Sequence, residues 1–112
     1  TGSNYAFLTT GNTSGSAASS TFAAGQDYIY GTAQEYNGTD YFACVDFIDY
    51  ANTTTRKQIN MIQNSLVYDG SFRICYDINA EWATASAITS ITIRCNTGVN
   101  FTGGSYELYG VK

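Results

Sequence analysis

Alternation of apolar and polar residues is the main pattern along this chain, and it predicts β-strands. Residues 71–78 (SFRICYDI) alternate throughout, and residues 90–95 (SITIRC) place two isoleucines and a cysteine opposite serine, threonine and arginine. A period of two is typical of a strand whose two faces meet different surroundings. Residues 41–50 (YFACVDFIDY) are apolar on both faces, which predicts a central strand covered on both sides.

Three further segments have weaker strand patterns, residues 4–10, 27–33 and 56–64. In the last of these, Lys57, Ile59 and Met61 fall on one face of an extended chain. A helical turn also fits that spacing, but the many threonines and asparagines around it favour a strand. Tight turns are predicted where two sequence signals occur, Asn37-Gly38 and Asp69-Gly70.

The remaining segments are predicted to be connections. Residues 11–20, rich in glycine, serine, threonine and alanine, are either a flexible connector or a weak strand. Residues 79–86 are predicted to form a loop that carries Trp82, the only tryptophan. The C-terminal residues 87–112 are predicted to form a hairpin, whose loop at residues 96–105 is longer than the roughly 2–5 residues usual for hairpins.

These elements predict one all-β domain covering residues 1–112. About seven or eight short strands with regularly spaced turns, and almost no helical periodicity, are typical of an antiparallel sandwich or barrel. The chain begins at Thr1. We expect that start to reflect either processing or the beginning of the C-terminal part of a longer polypeptide.

Composition narrows the classes of function. Aromatic residues make up 15% of the chain and charged residues only 12%, against about 25% charged in average globular proteins. The surface is therefore expected to consist of hydroxyl, amide and phenol groups, which suit contact with other macromolecules. The net charge of −4, with Arg56-Lys57 the only adjacent basic pair, argues against nucleic acid. No apolar run approaches the roughly 20 residues that span a membrane.

Catalytic chemistry is limited by the complete lack of histidine, which excludes a Ser-His-Asp site and a histidine-ligated metal. Asp46 with Asp49, and Asp77 with Glu81, remain as carboxylate pairs for a glycoside hydrolase. Asp46 and Asp49 would lie on opposite faces of a straight strand, and the other pair is predicted to lie in a solvated loop. Calcium at Asp40, Asp46 or Asp49 would lack the spacing that orders its ligands. We therefore expect no enzymatic activity and no cofactor.

Three cysteines, Cys44, Cys75 and Cys95, have neither CxxC spacing nor a histidine to complete a metal site. Buried reduced thiols are favoured over one disulfide with a third free cysteine. Exposed tryptophan and tyrosine side chains stack on sugars or make large rigid contacts with proteins. Trp82, Tyr106 and Tyr109 are the candidate residues for contact with a partner or a glycan, and the alternative for Trp82 is that it caps the core.

Part of the chain resembles a signature that recurs at the C-termini of tailed-bacteriophage virion proteins. The residues that carry it are Trp82 and residues 87–93 (AITSITI), 100–105 (NFTGGS) and 108–112 (LYGVK), with a further match upstream at residues 50–57 (YANTTTRK). Proteins with this signature have no catalytic residues at these positions. The resemblance covers the C-terminal half of the chain well and its first 40 residues poorly.

The resemblance implies a jelly-roll-like β-sandwich exposed on a virion. The expected role is a non-enzymatic capsid decoration (cement) protein that forms a homotrimer and binds the major capsid protein or other virion proteins. The alternative is a receptor-binding or carbohydrate-binding module of a tail fibre or tail-tip protein, which would contact a host surface glycan through Trp82 and exposed tyrosines. Neither role involves nucleic acid or a membrane.

Overall fold

The described residues fold into one antiparallel sheet of five strands. The computed structural model describes residues 4–13, 18–29, 40–66, 73–94, 101 and 103–110. The strands are β1 (Tyr5–Thr13), β2 (Ser19–Gln26), β3 (Asp40–Ile48), β4 (Lys57–Leu66) and β5 (Arg73–Trp82). Their order across the sheet is β2-β1-β5-β4-β3, with every neighbouring pair antiparallel. The described residues contain no helix, so the predicted all-β class is confirmed.

The inner face of the sheet holds the core. Phe7 of β1, Ala80 of β5 and Ile59 of β4 form one cross-strand row, and the next row includes Ile78 and Met61. Ile78 is fully buried, and Phe7 and Ile59 are nearly so. Because side chains alternate along a strand, Asn60 and Asn64 of β4 and Asp77 and Asn79 of β5 lie on the opposite, outer face. The alternation predicted for residues 56–64 and 71–78 is confirmed over the parts of these segments whose burial is described.

Polar groups also occupy the inner face. Lys57 is completely buried, and its Nζ donates a hydrogen bond to the main-chain oxygen of Thr55 at 2.5 Å. Gln63 and Thr9 are buried on the same face. The hydroxyl of Thr9 has no hydrogen-bond partner within the described part of the chain. Burying an unpaired hydroxyl costs free energy, so this face is less stabilising than a purely apolar one of the same area.

Gly11 is the position where the fold requires a residue without a side chain. It lies opposite Tyr76 in the β1–β5 pairing, and the Tyr76 ring covers it. A Cβ atom on Gly11 would lie 2.0 Å from Cδ1 of that ring and 2.5 Å from the main-chain oxygen of Cys75. Any larger residue would therefore force both the ring and the neighbouring strand to move.

The prediction that residues 41–50 form a central strand is wrong. β3 lies at one edge of the sheet, and on its outer face Phe42, Cys44 and Ile48 are exposed. A run that is apolar on both faces is typical of a covered strand, but in this sheet only the inner face of β3 is shielded.

Two predicted connections are also corrected. Residues 79–82 are not in a loop, because β5 continues through Trp82 and pairs with both β1 and β4. Of the predicted strand at residues 27–33, the described residues 27–29 form bends rather than a strand. Of the 11–20 tract, β1 extends to Thr13 and β2 begins at Ser19, and residues 14–17 lie outside the described residues.

The predicted C-terminal hairpin strands do not form over the described residues. Residues 87–94 and 104–110 are described, and neither segment belongs to a strand. A period-two pattern specifies a strand only when a neighbouring edge supplies hydrogen bonds. The turn signals Asn37-Gly38 and Asp69-Gly70, and most of the predicted 96–105 loop, lie outside the described residues.

Candidate functional site

The most exposed part of the structure follows β5. We call residues 83–94, 101 and 103–110 the C-terminal arm. Its first contact is a hydrogen bond from the Ala83 amide to the Asn4 carbonyl at 2.8 Å, and its second runs from the Ile88 amide to the Tyr50 carbonyl at 2.8 Å. The Arg94 guanidinium then lies over the Tyr28 ring, with Cζ 5.0 Å from the ring centroid.

The arm crosses from one side of the sheet to the other. Tyr50 closely follows β3 and Tyr28 closely follows β2, and these are the two outermost strands. Residues 88–94 therefore span the width of the sheet. Within the described part of the chain, the main chain of residues 89–94 forms no hydrogen bond with another main-chain group.

Six large apolar side chains of the arm are exposed: Ile91, Ile93, Phe101, Tyr106, Leu108 and Tyr109. Tyr106 is 90% exposed and Leu108 is 79% exposed. Single exposed hydrophobic residues are common, but a group of this size on one segment is typical of an interaction site.

The end of the arm contains one side-chain hydrogen bond. The Tyr109 hydroxyl donates it to the Glu107 carboxylate, which raises the pKa of Tyr109 above its ordinary value. Tyr106 and Leu108, which alternate with these two residues along the chain, are among the most exposed apolar side chains of the described residues.

The outer face of the sheet is mixed in character. Its centre holds Asn60 and Asn79, which are opposite one another in the β4–β5 pairing and both exposed. Phe22 on β2 and Phe42 on β3 lie near the two edges and are 69% and 61% exposed. An ion pair between Arg56 and Glu81 lies at one end of this face and is largely exposed, with Nη1 of Arg56 2.6 Å from Oε1 of Glu81. Such a face offers amides and carboxylates flanked by aromatic rings.

The candidate residues predicted from sequence separate into two groups. Trp82 ends β5 on the inner face, opposite Lys57 and Tyr5, and is only half-buried. Tyr106 and Tyr109 are exposed on the arm.

Several exposed residues were not singled out by sequence reasoning. Phe22, Phe42 and Leu108 are among the most exposed large apolar side chains. The signal for Leu108 was present, since it alternates with Glu107 and Tyr109. Nothing in the sequence distinguishes Phe42 from a core residue, because its strand is apolar on both faces.

The carboxylates are spread over the outer face. Asp46 and Asp77 are two strands and two residues apart in the registers, which corresponds to about 12 Å between Cα atoms. Asp77 and Glu81 are four residues apart on one strand, about 13 Å. Asp49 lies in the turn after β3, with a φ of 55°. The described residues contain no group of three metal-ligating side chains.

The expected burial of the cysteines is wrong for two of them. Cys44 and Cys75 are free thiols, and both are exposed. Each lies on the outer face, where the Cys75 thiol donates a hydrogen bond to Oδ1 of Asn64 at 2.8 Å. Cys95 lies outside the described residues.

Known proteins offer no guide to this surface. Comparison with protein-family models, with curated protein sequences and with solved structures finds no match to the chain. Among the described residues, no helix is long and apolar enough to cross a membrane. The two features that stand out are the exposed arm and the free margins of the sheet.

Proposed function

We propose that this chain is a non-enzymatic structural protein of a bacteriophage virion, and specifically a capsid decoration protein that associates with itself and with the major capsid protein. The observation that carries the proposal is the C-terminal arm, whose large apolar side chains are exposed and whose main chain at residues 89–94 forms no hydrogen bond with the main chain of other described residues. A segment of this kind gains free energy when a neighbouring molecule covers it.

The free energy gained by covering the arm suits an assembly of many identical copies. Burying one large apolar side chain contributes about 1.5–3 kcal/mol, so the six on the arm represent on the order of 10 kcal/mol. Association itself costs roughly 4–15 kcal/mol in lost freedom of motion. A single contact is therefore weak to moderate. Many copies bound to a repeating shell gain stability through multivalency, which is the situation of a decoration protein.

The same arm supports the jelly-roll-like sandwich as the assembled fold. Residues 88–94 and 106–109 have strand patterns without strand partners in the subunit. Pairing both with neighbouring edges would raise the strand count from five to about seven, which is typical of a small sandwich. In the proposed virion the arm supplies these strands, and the expected assembly is a trimer. The role needs no cofactor, and the dispersed carboxylates agree with a protein that binds without catalysis.

The virion location rests on the resemblance of the C-terminal half of the chain to phage virion proteins. The residues of that resemblance include the exposed ends of the arm, Tyr109 and Gly110 among them. In the proposed role these residues contact other chains, which accounts for a conspicuous sequence pattern on a segment that contributes little to the subunit's own core.

The proposal is tested by measuring oligomeric state and shell binding together. Native mass spectrometry and light scattering should show oligomers at about 100 μM, and the chain should co-sediment with bare capsids of the phage that encodes it. Tyr106→Ser combined with Leu108→Ser should weaken both without unfolding the subunit. Phe22→Ser, an equally exposed change outside the arm, is the matched control. A protein that stays monomeric at that concentration and does not bind shells would contradict the proposal.

The second candidate is a carbohydrate-binding module of a tail fibre. The observation that favours it is the outer face, where Asn60 and Asn79 lie in one cross-strand row with Leu8 and the exposed Phe22. Amide groups bind sugar hydroxyls, and aromatic rings stack on sugars. A saccharide titration that saturates at millimolar concentrations and is lost in Asn60→Ala would favour this module. Copy numbers in the hundreds per virion with no sugar response would favour decoration.

A further inference from the structure

Among the described strands, β3 forms one margin of the sheet. It pairs only with β4, through an uninterrupted register from Asp40 to Ile48, and no other described segment pairs along its free side. The opposite margin is protected, because β2 contains Gly25 with a φ of 65° and its pairing with β1 shifts register between Tyr5 and Phe7. Bulges and irregular backbone discourage edge pairing, whereas β3 has neither, nor a lysine or a proline.

We propose that β3 pairs with β3 of a second copy of this chain, antiparallel, about a two-fold axis that passes through Cys44. A two-fold axis perpendicular to the sheet keeps the inner faces of both copies on the same side. Paired residues must then belong to the same face, so the two residue numbers of each pair differ by an even number. Only a few registers satisfy this condition.

Strand length and charge select among these registers. If the two-fold axis passes through Ala43, Asp40 lies opposite Asp46 of the second copy. If the axis passes through Asp46, that residue lies opposite Asp46 of the second copy. Like charges directly opposite one another destabilise a sheet. Centring on Val45 avoids both pairs but leaves the first two residues of the strand unpaired. Centring on Cys44 pairs all nine residues of β3 and opposes no two aspartates.

The resulting contact matches the chemistry of this edge. On the outer face, exposed Phe42 lies opposite Asp46 of the second copy, and the exposed Cys44 thiols face each other. On the inner face, Val45 lies opposite Ala43, both half-buried in the single subunit. Nine paired residues supply about nine main-chain hydrogen bonds, close to the roughly ten of a typical protein interface.

The two sheets then join into one sheet of ten strands. This contact rests on the self-association in the proposed function, but it does not depend on a virion location. It uses the same patch on both copies, as a two-fold contact must. It leaves the C-terminal arm free for contacts with further copies or with the shell.

The native cysteines provide a direct test. Directly opposed residues of an antiparallel pair have Cα atoms about 4.5–5.5 Å apart, within the range that a disulfide bridges. Copper–phenanthroline oxidation of the full chain should give a covalent dimer linked through Cys44 on both copies, identified by peptide mapping. Cys44→Ser should abolish the covalent dimer. Cys75→Ser should not, because Cys75 lies on the central strand β5.

A charge pair provides an independent test without oxidation. Phe42→Asp places a carboxylate opposite Asp46 of the second copy, and Phe42→Lys places an ammonium there. Both changes alter an exposed residue, so the single subunit should remain folded. Because the pair occurs twice per dimer, the dimer of the lysine variant should be about tenfold or more tighter than that of the aspartate variant. This difference should shrink in about 1 M salt.

The outcomes separate this inference from the proposed function. A Cys44–Cys44 dimer together with the charge effect at residue 42 supports the β3 contact, whether or not the chain binds shells. Self-association without either result would overturn the β3 contact and leave the proposed assembly standing. An intramolecular Cys44–Cys95 link would also overturn it, because the chain's own arm would then occupy the edge. A persistent monomer would overturn both proposals.

Discussion

Gly11→Ala is the substitution for which the structure makes the sharpest prediction of stability. Replacing glycine by alanine in extended backbone ordinarily stabilises a protein by about 0.4–1 kcal/mol, because the unfolded chain loses freedom. At Gly11 the added Cβ would lie 2.0 Å from Cδ1 and 2.5 Å from Cε1 of the Tyr76 ring. Carbon atoms in favourable contact are about 3.5–4.0 Å apart. The ring must therefore move by about 1.5–2 Å.

A second clash prevents the ring from absorbing the whole change. The Cβ atom would also lie 2.5 Å from the main-chain oxygen of Cys75, which belongs to β5. Relieving this contact requires β1 and β5 to separate locally at the centre of the sheet. Overpacking of this kind costs about 1–3 kcal/mol, and main-chain movement places Gly11→Ala in the upper half of that range. For a domain of this size, about 2–3 kcal/mol corresponds to a fall in Tm of about 8–12 °C.

Urea unfolding followed by circular dichroism and Trp82 fluorescence would measure the change in the free energy of unfolding. Gly103→Ala is the matched control, because no atom lies within 4 Å of its added Cβ, and its stability should be unchanged or slightly higher. In a Tyr76→Ala background, Gly11→Ala should cost at least about 1 kcal/mol less than in the native chain. A stability change within about 0.5 kcal/mol of zero, or an equal cost in both backgrounds, would refute the reasoning.

Three further predictions follow from side chains with unusual surroundings. Lys57→Met should leave the free energy of unfolding unchanged or raise it, because it keeps the buried stem and removes a buried charge. Lys57→Ala should lower the free energy of unfolding by about 2–5 kcal/mol, because it leaves a cavity. Equal losses for the two variants in thermal unfolding would contradict this. Arg56→Ala and Glu81→Ala should each change stability by less than about 1 kcal/mol, because their ion pair is largely exposed, and a larger loss for either in urea unfolding would show a buried role. The pKa of Tyr109 should lie above its ordinary value of 10.0, because the neutral hydroxyl donates a hydrogen bond to Glu107 that is lost as the pH rises through the raised pKa. Absorbance at the tyrosinate band should show this raised pKa, and the Glu107 contribution to it should disappear in Glu107→Gln.

The strands that could be predicted from the sequence are those whose two faces differ in polarity. β4 and β5 alternate, and burial of Ile59 and Ile78 on a single face follows directly from their positions in the pattern. Alternation also continues through Asn79, Ala80 and Glu81, so the end of β5 was readable although its polar residues suggested a loop. The edge position of β3 was not readable, because an apolar run does not reveal whether a neighbour covers it.

The candidate surfaces were predictable to a similar extent. A chain with many tyrosines cannot bury all of them in a small domain, and Tyr106, one of the aromatic residues to which that argument applies, is 90% exposed. The position of Trp82 depends on the register of β5 against β1 and β4, and long-range register cannot be deduced from local pattern. The pairing state of the arm depends on partner edges that local sequence does not describe.

Because the arm crosses the sheet, it must lose two of its own contacts before it can bind a partner along its length. Any molecule that takes up residues 88–94 along their full length must displace the Ile88–Tyr50 hydrogen bond and the Arg94–Tyr28 stacking. Such contacts contribute about 0.5–1.5 and 0.5–1 kcal/mol respectively, which lowers the affinity of the competing partner by roughly five- to seventyfold. In the proposed assembly, these two contacts of the arm would have to be broken before residues 88–94 could pair with a neighbouring edge.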